Sequence, residues 1–223
     1  LVKKYVTTKT LENISLNAVD YSSLQKDPVF SSLVSRLESY QPESLTSREA
    51  KLSFWINVYN ILTVKMITDH FPLKSIKEVG SFFSPVWKRL AGIIGGKEHT
   101  LNDIEHEILR KMDEPRIHVA IVCASISCPD LRLEAYSAEK LNEQLDDQMR
   151  RFLQSQTKGM RVEVKKNRVY LSSIFKWFAQ DFDSRGGVLK FIAPYLPAQE
   201  SMALRDPKIK VSYLDYNWNL NGS

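Results

Sequence analysis

The chain has 223 residues, of which 31 are Lys or Arg and 26 are Asp or Glu, so its formal net charge is +5 at pH 7. Hydrophobic residues make up 43% of it, enough for a packed core, which excludes a largely disordered protein. So small a net charge predicts that nucleic acid is not a partner. The sequence contains no run of about 18 apolar residues, so we expect no transmembrane helix. We expect one α+β domain over residues 1–223, with helices around a small, mainly antiparallel sheet and one buried central helix.

The first elements in chain order are predicted to be helical. Residues 1–45 are expected to form helical pieces joined by turns, and Leu33 and Leu37 give one of these pieces an apolar stripe. Thr46 and Glu49 then fit a capping box, in which a hydroxyl and a carboxylate three residues later satisfy free amides at a helix start. Thr46 is therefore the predicted N-cap of the next helix.

The helix predicted over residues 50–71 is apolar on nearly every side. That pattern is typical of a helix buried at the centre of a domain. Asn57 and Asn60 lie on it, and a buried amide needs hydrogen-bond partners, so we expect both to tie the helix to loops or strands. Residues 73–99 are predicted to be loop-rich, with a short helix and a turn at Gly95–Gly96.

A second helix is predicted over residues 101–112, with Thr100 as its N-cap. At about 100° per residue its apolar face includes Glu105, while His106 lies at the flank of that face. A carboxylate on a buried face must find a partner or stay protonated. Its candidate partners are three basic side chains: Arg110, Arg116 and His118.

The second half of the chain predicts a strand, a helix and a hairpin. Residues 116–124 form a continuous apolar run rich in β-branched side chains, which indicates a buried central strand. Ser137 is expected to begin a third helix over residues 138–154. A hairpin is predicted over residues 161–172, followed by two short helices and a final strand over residues 208–218.

Two cysteines are the leading candidates for chemistry. Cys123 closes the predicted strand and Cys128 follows in the loop, where a strand end can hold a reactive group while the loop exposes it. A free thiol becomes a nucleophile when a base or a positive field lowers its pKa. The alternatives are a small core side chain at Cys123, or an inert or bridged pair. No Walker-type loop, GxGxxG, HExxH, GxSxG or CxxC accompanies them, so we expect no cofactor and no metal.

His106 is the predicted general base, with His118 as the second candidate. Residues alternate across a strand, so His118 and Cys123 are expected on opposite faces, about 16 Å apart at about 3.3 Å per residue. A short turn at residues 113–115 would run the second helix antiparallel to the strand and return His106 to the cysteines. Amides of residues 125–128 are expected to hold an oxyanion. Either histidine could instead be a hydrogen-bonded structural residue.

Five segments together resemble the signature blocks of a known family. They are AKLSFWINVYNILTV, LNDIEHEILR, PRIHVAIVCASISCPDLR, FKWFAQDF and YLDYNWNLN, and they span roughly residues 5–221. In order and spacing they resemble the domain-of-unknown-function 547 family. Asn217 and Asn219 depart from that pattern, because Asp and Ser are expected there in a YDWSLN-like ending. This aromatic and polar ending is expected to line a cleft or to clamp the C-terminus.

The resemblance implies a single α+β domain that is distantly similar to papain- or transglutaminase-like thiol enzymes, with a Cys, a His and an acidic residue. The positions that match the family blocks are Glu105, His106, His118, Cys123 and Cys128. Plant relatives keep a Cys matching Cys123 and tend to have Ser at the position of Cys128, which favours Cys123 as the nucleophile. Bacterial relatives are often exported, which favours a periplasmic or secreted protein.

Two functional hypotheses follow. The first is a thiol-dependent hydrolase or acyl transferase on a peptide-like amide or a thioester, in which a cysteine attacks, His106 moves the proton and Glu105 orients an imidazole. The second is a non-catalytic binding or scaffold domain, with inert cysteines and Glu105 in a structural ion pair. A third hypothesis, binding of anions or nucleic acid through the positive charge, would require a steep salt dependence.

Overall fold

A computed structural model describes residues 1–81 and 83–223; Phe82, in the predicted loop-rich stretch, lies outside the described residues. The chain is α+β, as predicted. Its helices are α1 Val2–Tyr5, α2 Tyr21–Leu24, α3 Pro28–Ser39, α4 Arg48–His70, α5 Ile117–Ala120, α6 Leu141–Gln154, α7 Ile174–Trp177, α8 Val188–Ile192 and α9 Ala198–Leu204. Its strands are β1 Val6–Leu11, β2 Ile14–Val19, β3 Leu90–Ile94, β4 Lys97–Thr100, β5 Met160–Glu163, β6 Arg168–Leu171 and β7 Lys210–Tyr213. A π-helix, Asp103–Leu109, lies between β4 and α5.

The long buried helix that the sequence predicts is α4. Its N-cap is Ser47, whose hydroxyl accepts a hydrogen bond from the amide of Ala50, so the prediction of Thr46 as N-cap is wrong by one residue. Buried side chains lie on several sides of α4: Leu52, Ile56, Val58, Tyr59, Leu62 and Ile67. Among residues 1–81 and 83–223, no helix is both long enough and apolar enough to cross a membrane.

Two asparagines of α4 tie it to the surrounding chain, which confirms the prediction made for them. Asn57 donates to the carbonyl of Tyr136 at 2.8 Å and accepts from the Tyr136 amide at 3.0 Å. Asn60 donates to the carbonyl of Ala120 at 3.0 Å and accepts from the amide of Val122 at 2.9 Å. Through Asn60, α4 therefore holds the backbone directly before the first cysteine.

In the described part of the chain, the strands form three small sheets and not the single sheet that the sequence pattern predicts. β1 and β2 are an antiparallel hairpin inside residues 1–45, where only helical pieces are expected. Glu12 and Asn13 both take positive φ in its two-residue turn, which matches the twist of the paired strands. β3 and β4 pair across Gly95–Gly96, so that turn is confirmed. β5 and β6 form the predicted antiparallel hairpin, and β7 adds to β6 in parallel.

The predicted central strand over residues 116–124 is wrong. The run begins with α5, one helical turn, and continues as backbone that belongs to none of the three sheets. A β-branched apolar run suits a buried helical turn as well as a buried strand, because both bury side chains in every direction. α5 lies between two apolar clusters. Ile117 and Ala120 join the cluster around α4, while Val119 joins the cluster around α6, β5 and β6.

The second and third predicted helices are present. Thr100 caps residues 101–112, because its hydroxyl accepts from the amide of Asp103 at 3.0 Å and the Asp103 carboxylate accepts from the Thr100 amide at 3.0 Å. The centre of this segment is the π-helix, so its side chains do not follow the α-helical spacing on which the prediction rests. The third helix is α6, preceded by the short 3-10 turn Ala138–Lys140.

Candidate functional site

One cavity, hereafter the thiol cavity, brings together all five side chains that the sequence singles out: Glu105, His106, His118, Cys123 and Cys128. Its volume is about 300 Å³, at the lower end of the range for small-molecule sites. His118 lies on α5 and not on a strand. The expectation that His118 and Cys123 point to opposite faces of a strand is therefore wrong, since both line this cavity.

Cys123 ends the extended segment that follows α5. Asn60 holds the amide of Val122 just before it. Ala124, just after it, has φ +58°, a left-handed conformation that is uncommon for a residue with a Cβ. The Cys123 side chain is only partly buried. A partly exposed thiol is thus held between a fixed and a strained backbone position, an arrangement that recurs at active sites.

Hydrogen-bond donors surround the Cys123 sulfur. The hydroxyls of Ser125 and Tyr216 lie 3.1 and 3.3 Å from Sγ. The Cys128 thiol, followed by the hydroxyl and amide of Ser125 and the hydroxyl of Tyr216, lowers the pKa of the Cys123 thiol to about 6, although burial opposes the shift. Much of Cys123 is therefore thiolate at neutral pH, which is the nucleophilic form.

Cys128 has a different environment. It is 3% exposed, and its Sγ accepts a hydrogen bond from the Cys123 amide at 2.9 Å. Burial raises the pKa of the Cys128 thiol well above its usual range, and the neighbouring Cys123 adds to the shift. Both cysteines are free thiols. Cys128 therefore stays protonated and supports Cys123.

The π-helix presents two consecutive residues, Glu105 and His106, to the thiol cavity. Neighbours on an α-helix diverge by about 100°, and the wider π-helical turn reduces that angle. Short π-helical segments interrupt α-helices frequently at functional sites. The local π-helix thus explains how both side chains reach one cavity.

Glu105 is buried and accepts one hydrogen bond, from the hydroxyl of Tyr59 at 3.1 Å. The three basic partners expected for it make no hydrogen bond or ion pair with it among the described residues, so that expectation is wrong. Burial raises the pKa of the Glu105 carboxyl to about 7, although the bond from Tyr59 opposes this. Near neutral pH Glu105 can therefore supply a proton to the cavity.

An aspartate that the sequence pattern does not single out, Asp181, holds His118. Nε2 of His118 lies 2.7 Å from Asp181 Oδ2. The Arg110 guanidinium donates two hydrogen bonds to the same carboxylate, at 2.7 and 2.6 Å. Burial alone would raise the pKa of Asp181, but the bonds from His118 and Arg110 hold it well below its usual range. Burial lowers the pKa of His118, so a neutral imidazole donates Nε2–H to a charged carboxylate.

This bond leaves Nδ1 as the free acceptor of His118. Nδ1 is buried and has no hydrogen-bond partner in the described part of the chain. Phe178 stacks on the imidazole with ring centroids 4.0 Å apart and fixes the orientation of the ring. A buried acceptor without a partner is costly. Because His118 lines the thiol cavity, its free ring nitrogen suits a base that takes a proton from a bound molecule.

His106 is engaged differently. Its Nδ1 accepts a hydrogen bond from Arg110 at 2.8 Å, since a guanidinium can only donate. Burial, and then the charge of Arg110, lower the pKa of His106. Within residues 1–81 and 83–223, neither sulfur is hydrogen bonded to an imidazole: the polar contacts of the Cys123 sulfur are to the hydroxyls of Ser125 and Tyr216, to the Ser125 amide and to the second thiol.

The loop amides predicted to hold an oxyanion are largely occupied. The amides of Ile126, Ser127 and Cys128 donate to the carbonyls of Asn219, Asn217 and Ser125 at 2.8, 3.2 and 3.1 Å. For these three amides the prediction is wrong, because backbone pairing with the C-terminal segment and within the loop uses them. The Ser125 amide instead stabilises the Cys123 thiolate.

Four of the aromatic side chains that line the thiol cavity are hereafter called the aromatic wall: Trp87, Trp177, Tyr216 and Trp218. Trp177 stacks on Trp218 with ring centroids 5.7 Å apart, and Tyr216 lies 4.6 Å from Trp218. The C-terminal segment thus lines a cleft, and its backbone bonds to the loop after Cys123 also clamp the C-terminus. Both alternatives considered for this segment apply.

The two asparagines that depart from the family pattern share one partner. The side-chain amides of Asn217 and Asn219 donate to the carboxylate of Glu12 at 2.7 and 2.8 Å. An aspartate at position 217 would place a second carboxylate beside Glu12. Asparagine at these positions is therefore compatible with the carboxylate of Glu12 in the β1–β2 turn, whereas the expected aspartate is not.

No sequence pattern singles out Tyr59, Asp181 or Tyr216. Asp181 lies in the FKWFAQDF segment, but it follows His118 by 63 residues. Tyr216 follows Cys123 by 93 residues. No spacing rule links residues so far apart. Membership of a family-like segment was the one available signal, and it covers all three.

A comparison with known families supports the resemblance. The family described as "Protein of unknown function, DUF547" matches residues 42–153. This range includes α4, the π-helix and both cysteines, whereas Asp181 lies outside it. Comparisons with curated proteins and with solved structures gave no significant match. Because the match covers half of the sequence, the chain belongs to the DUF547 family.

Proposed function

We propose that this protein is a thiol-dependent hydrolase or acyl transferase that acts on a peptide-like amide or a thioester. One observation carries the proposal: Cys123, with a thiol pKa of about 6, shares a cavity with an imidazole, His118, that Asp181 holds in place. A nucleophile, a histidine and an acid in these roles recur on unrelated hydrolase folds. A distant likeness to papain- or transglutaminase-like enzymes is part of the same proposal.

In the acylation step, the Cys123 thiolate attacks the carbonyl carbon of the substrate and forms a C–S bond. The C=O electron pair moves to the oxygen, and the hydroxyls beside the sulfur, on Ser125 and Tyr216, donate to the oxyanion. The C–N or C–S bond to the leaving group then breaks. Glu105, whose carboxyl has a pKa of about 7, gives its proton to the leaving amine or thiolate.

In the deacylation step, water attacks the thioester formed on Cys123. Nδ1 of His118 accepts a proton from that water, since it is the acceptor that has no partner among the described residues. The C–S bond breaks, the thiolate is restored and the carboxylic acid product leaves. The imidazolium passes its proton to the Glu105 carboxylate, which returns both groups to their starting states. In a transferase, an amine or an alcohol takes the place of water.

The aromatic wall indicates which acyl groups fit. Rings favour apolar or planar groups, which stack on their faces. The ammonium of Lys77 lies 3.6 Å from the ring centroid of Trp218 and already occupies one aromatic face by a cation–π contact. We therefore infer an acyl group that is apolar or carries a flat ring, joined through an amide or thioester.

Trapping of an acyl-enzyme tests the proposal. The full chain is incubated with a panel of aromatic and aliphatic thioesters, p-nitrophenyl esters and peptide amides, and adducts are located by mass spectrometry. We expect an acyl adduct on Cys123 in the wild type and in Cys128→Ala. Cys123→Ala should lose the adduct and at least about 1000-fold in turnover, with little change in melting temperature. Turnover retained in both Cys→Ala variants would rule out a thiol mechanism.

A non-catalytic binding or scaffold role is the alternative. One observation favours it: no imidazole is hydrogen bonded to either sulfur among the described residues. This alternative predicts that no member of the panel acylates Cys123. It also predicts that ligands with a flat ring still change the fluorescence of the aromatic wall. Adduct formation on Cys123 excludes this alternative.

Replacement of Asp181 tests the proposed role of His118. Asp181→Asn should lower kcat at least about tenfold with little change in KM. The neutral amide lacks the negative charge with which the Asp181 carboxylate holds the imidazole of His118 in the Nε2–H form. Both constants are measured on the best ester of the panel. Asp183→Asn is the matched control, since this exposed carboxylate lies on the same helical segment, Ala179–Arg185. An unchanged kcat in Asp181→Asn would contradict the role of His118 as the base.

A further inference from the structure

A second cavity, of about 440 Å³, shares no lining residue with the thiol cavity. We call it the aliphatic cavity. Aliphatic and aromatic side chains from β1, β2, α2, α3 and α4 form most of its wall: Val6, Val19, Leu24, Phe30, Ile61 and Val64. An apolar cavity of this size with a few polar groups is the usual form of a small-molecule site.

Two polar atoms of residues that line this cavity have no partner. The hydroxyl of Tyr136 and Nε of Arg132 are both buried, and neither makes a hydrogen bond in the described part of the chain. The other polar residues on α4, Asn57 and Asn60, already bond to backbone groups. A buried polar group without a partner is costly, so we take Tyr136 and Arg132 as the groups to which a ligand in this cavity bonds.

The positive charge at this end of the cavity is already paired. The Arg132 guanidinium donates to Asp147 at 2.6 Å and to Glu134 at 3.0 Å, so two carboxylates already face its positive charge. An anionic head group would add a third negative charge beside Arg132. A neutral oxygen, in contrast, accepts from Nε–H and from the Tyr136 hydroxyl without that repulsion.

We propose that the aliphatic cavity binds a neutral aliphatic molecule with one oxygen-bearing head group, an alcohol or an acyl ester. The chain packs among the apolar side chains, and the oxygen accepts hydrogen bonds from Tyr136 and Arg132. At about 30 Å³ for each water-sized group, 440 Å³ accommodates roughly 15 non-hydrogen atoms. The binding proposal does not depend on the proposed thiol chemistry, because the two cavities are separate.

The probe is decan-1-ol, titrated into the full chain by isothermal calorimetry. Tyr136→Phe keeps the ring and removes the hydroxyl, and it should weaken binding about fivefold, the usual effect of one hydrogen bond. Ala135→Trp places a large side chain at an exposed lining position and should weaken binding at least 20-fold. Ala198→Trp is the matched control, because Ala198 is exposed and lines neither cavity; it should bind as the wild type does.

Two further titrations distinguish the aliphatic cavity from the thiol cavity and a neutral head group from a charged one. Decan-1-ol could also enter the thiol cavity, so the first titration uses protein whose Cys123 has been blocked with iodoacetamide. If the alcohol binds in the aliphatic cavity, its affinity for the blocked protein should equal its affinity for the unblocked protein. Decanoate at pH 8 should bind at least tenfold more weakly than the alcohol, because its head group is charged. Tighter binding of decanoate would overturn the neutral head group. Equal affinities of Ala135→Trp and Ala198→Trp, or loss of binding in the blocked protein, would overturn the site.

Discussion

At pH 6, Cys123 should react with iodoacetamide about tenfold faster than an ordinary thiol and at least 100-fold faster than Cys128. With a pKa of about 6, about half of Cys123 is thiolate at this pH, against about 0.3% of a thiol with a pKa of about 8.5. A less basic thiolate is roughly tenfold less nucleophilic, which leaves a net gain of about tenfold. Cys128 is buried, and its thiol pKa is raised, so it supplies almost no thiolate.

The measurement is site-resolved mass spectrometry of the adducts between pH 5 and pH 9, with the urea-unfolded chain as the ordinary thiol. Cys128→Ala should raise the midpoint of the Cys123 profile most, and Tyr216→Phe should raise it less, because each removes a donor to the thiolate. Tyr213→Phe is the matched control, since Tyr213 is exposed and does not line the thiol cavity. Equally slow labelling of both cysteines at pH 6 would remove the main support for Cys123 as the nucleophile.

Glu105→Gln should raise the free energy of unfolding, relative to the wild type, by roughly 3 kcal/mol more at pH 8 than at pH 4. The shift of the Glu105 pKa from 4.5 to about 7 corresponds to that free energy. Between these pH values the unfolded chain has released the proton and the folded chain retains it, so the stability of the wild type falls as pH rises. Glutamine keeps an oxygen for the hydroxyl of Tyr59 and carries no charge to bury.

Urea unfolding of the wild type and of the variant, followed from pH 4 to pH 8, gives the two free energies of unfolding. The difference between these two free energies gives the contribution of Glu105, because the other groups that titrate in this range are the same in both proteins. Glu107→Gln is the matched control, because Glu107 lies on the same π-helix, is exposed and pairs with Lys111. A difference between wild type and Glu105→Gln that does not change with pH would show that burial does not raise the pKa of Glu105.

Three elements that depend on local patterns agree with the sequence. α4 follows from a long apolar run, the cap at Thr100 from a hydroxyl three residues before a carboxylate, and the turn at Gly95–Gly96 from residues that accept positive φ. Each of these signals acts between neighbours in the chain. The cap and the turn therefore depend little on how the rest of the chain folds, whereas α4 also needs the surrounding core, because most of a helix's stability in a protein comes from packing.

Predictions that required distant contacts differ from the structure. The run over residues 116–124 has the composition of a strand, but it joins none of the three sheets and begins as a helical turn. The β1–β2 hairpin is a different case, because it pairs near neighbours across a two-residue turn at Glu12 and Asn13, and the expectation of helical pieces missed this local signal. Strand formation depends on the partner as much as on composition.

The sequence by itself determined the family, the α+β class and the five side chains that meet in the thiol cavity. Residue type, local spacing and the resemblance to the family's signature blocks are sufficient for these conclusions. Only the tertiary structure decided the state of those side chains, because burial and contacts across the fold decide a pKa. Tyr216 joins Cys123 from 93 residues away, and Asp181 joins His118 from 63 residues away. Those contacts decide which thiol ionises and which imidazole nitrogen is free.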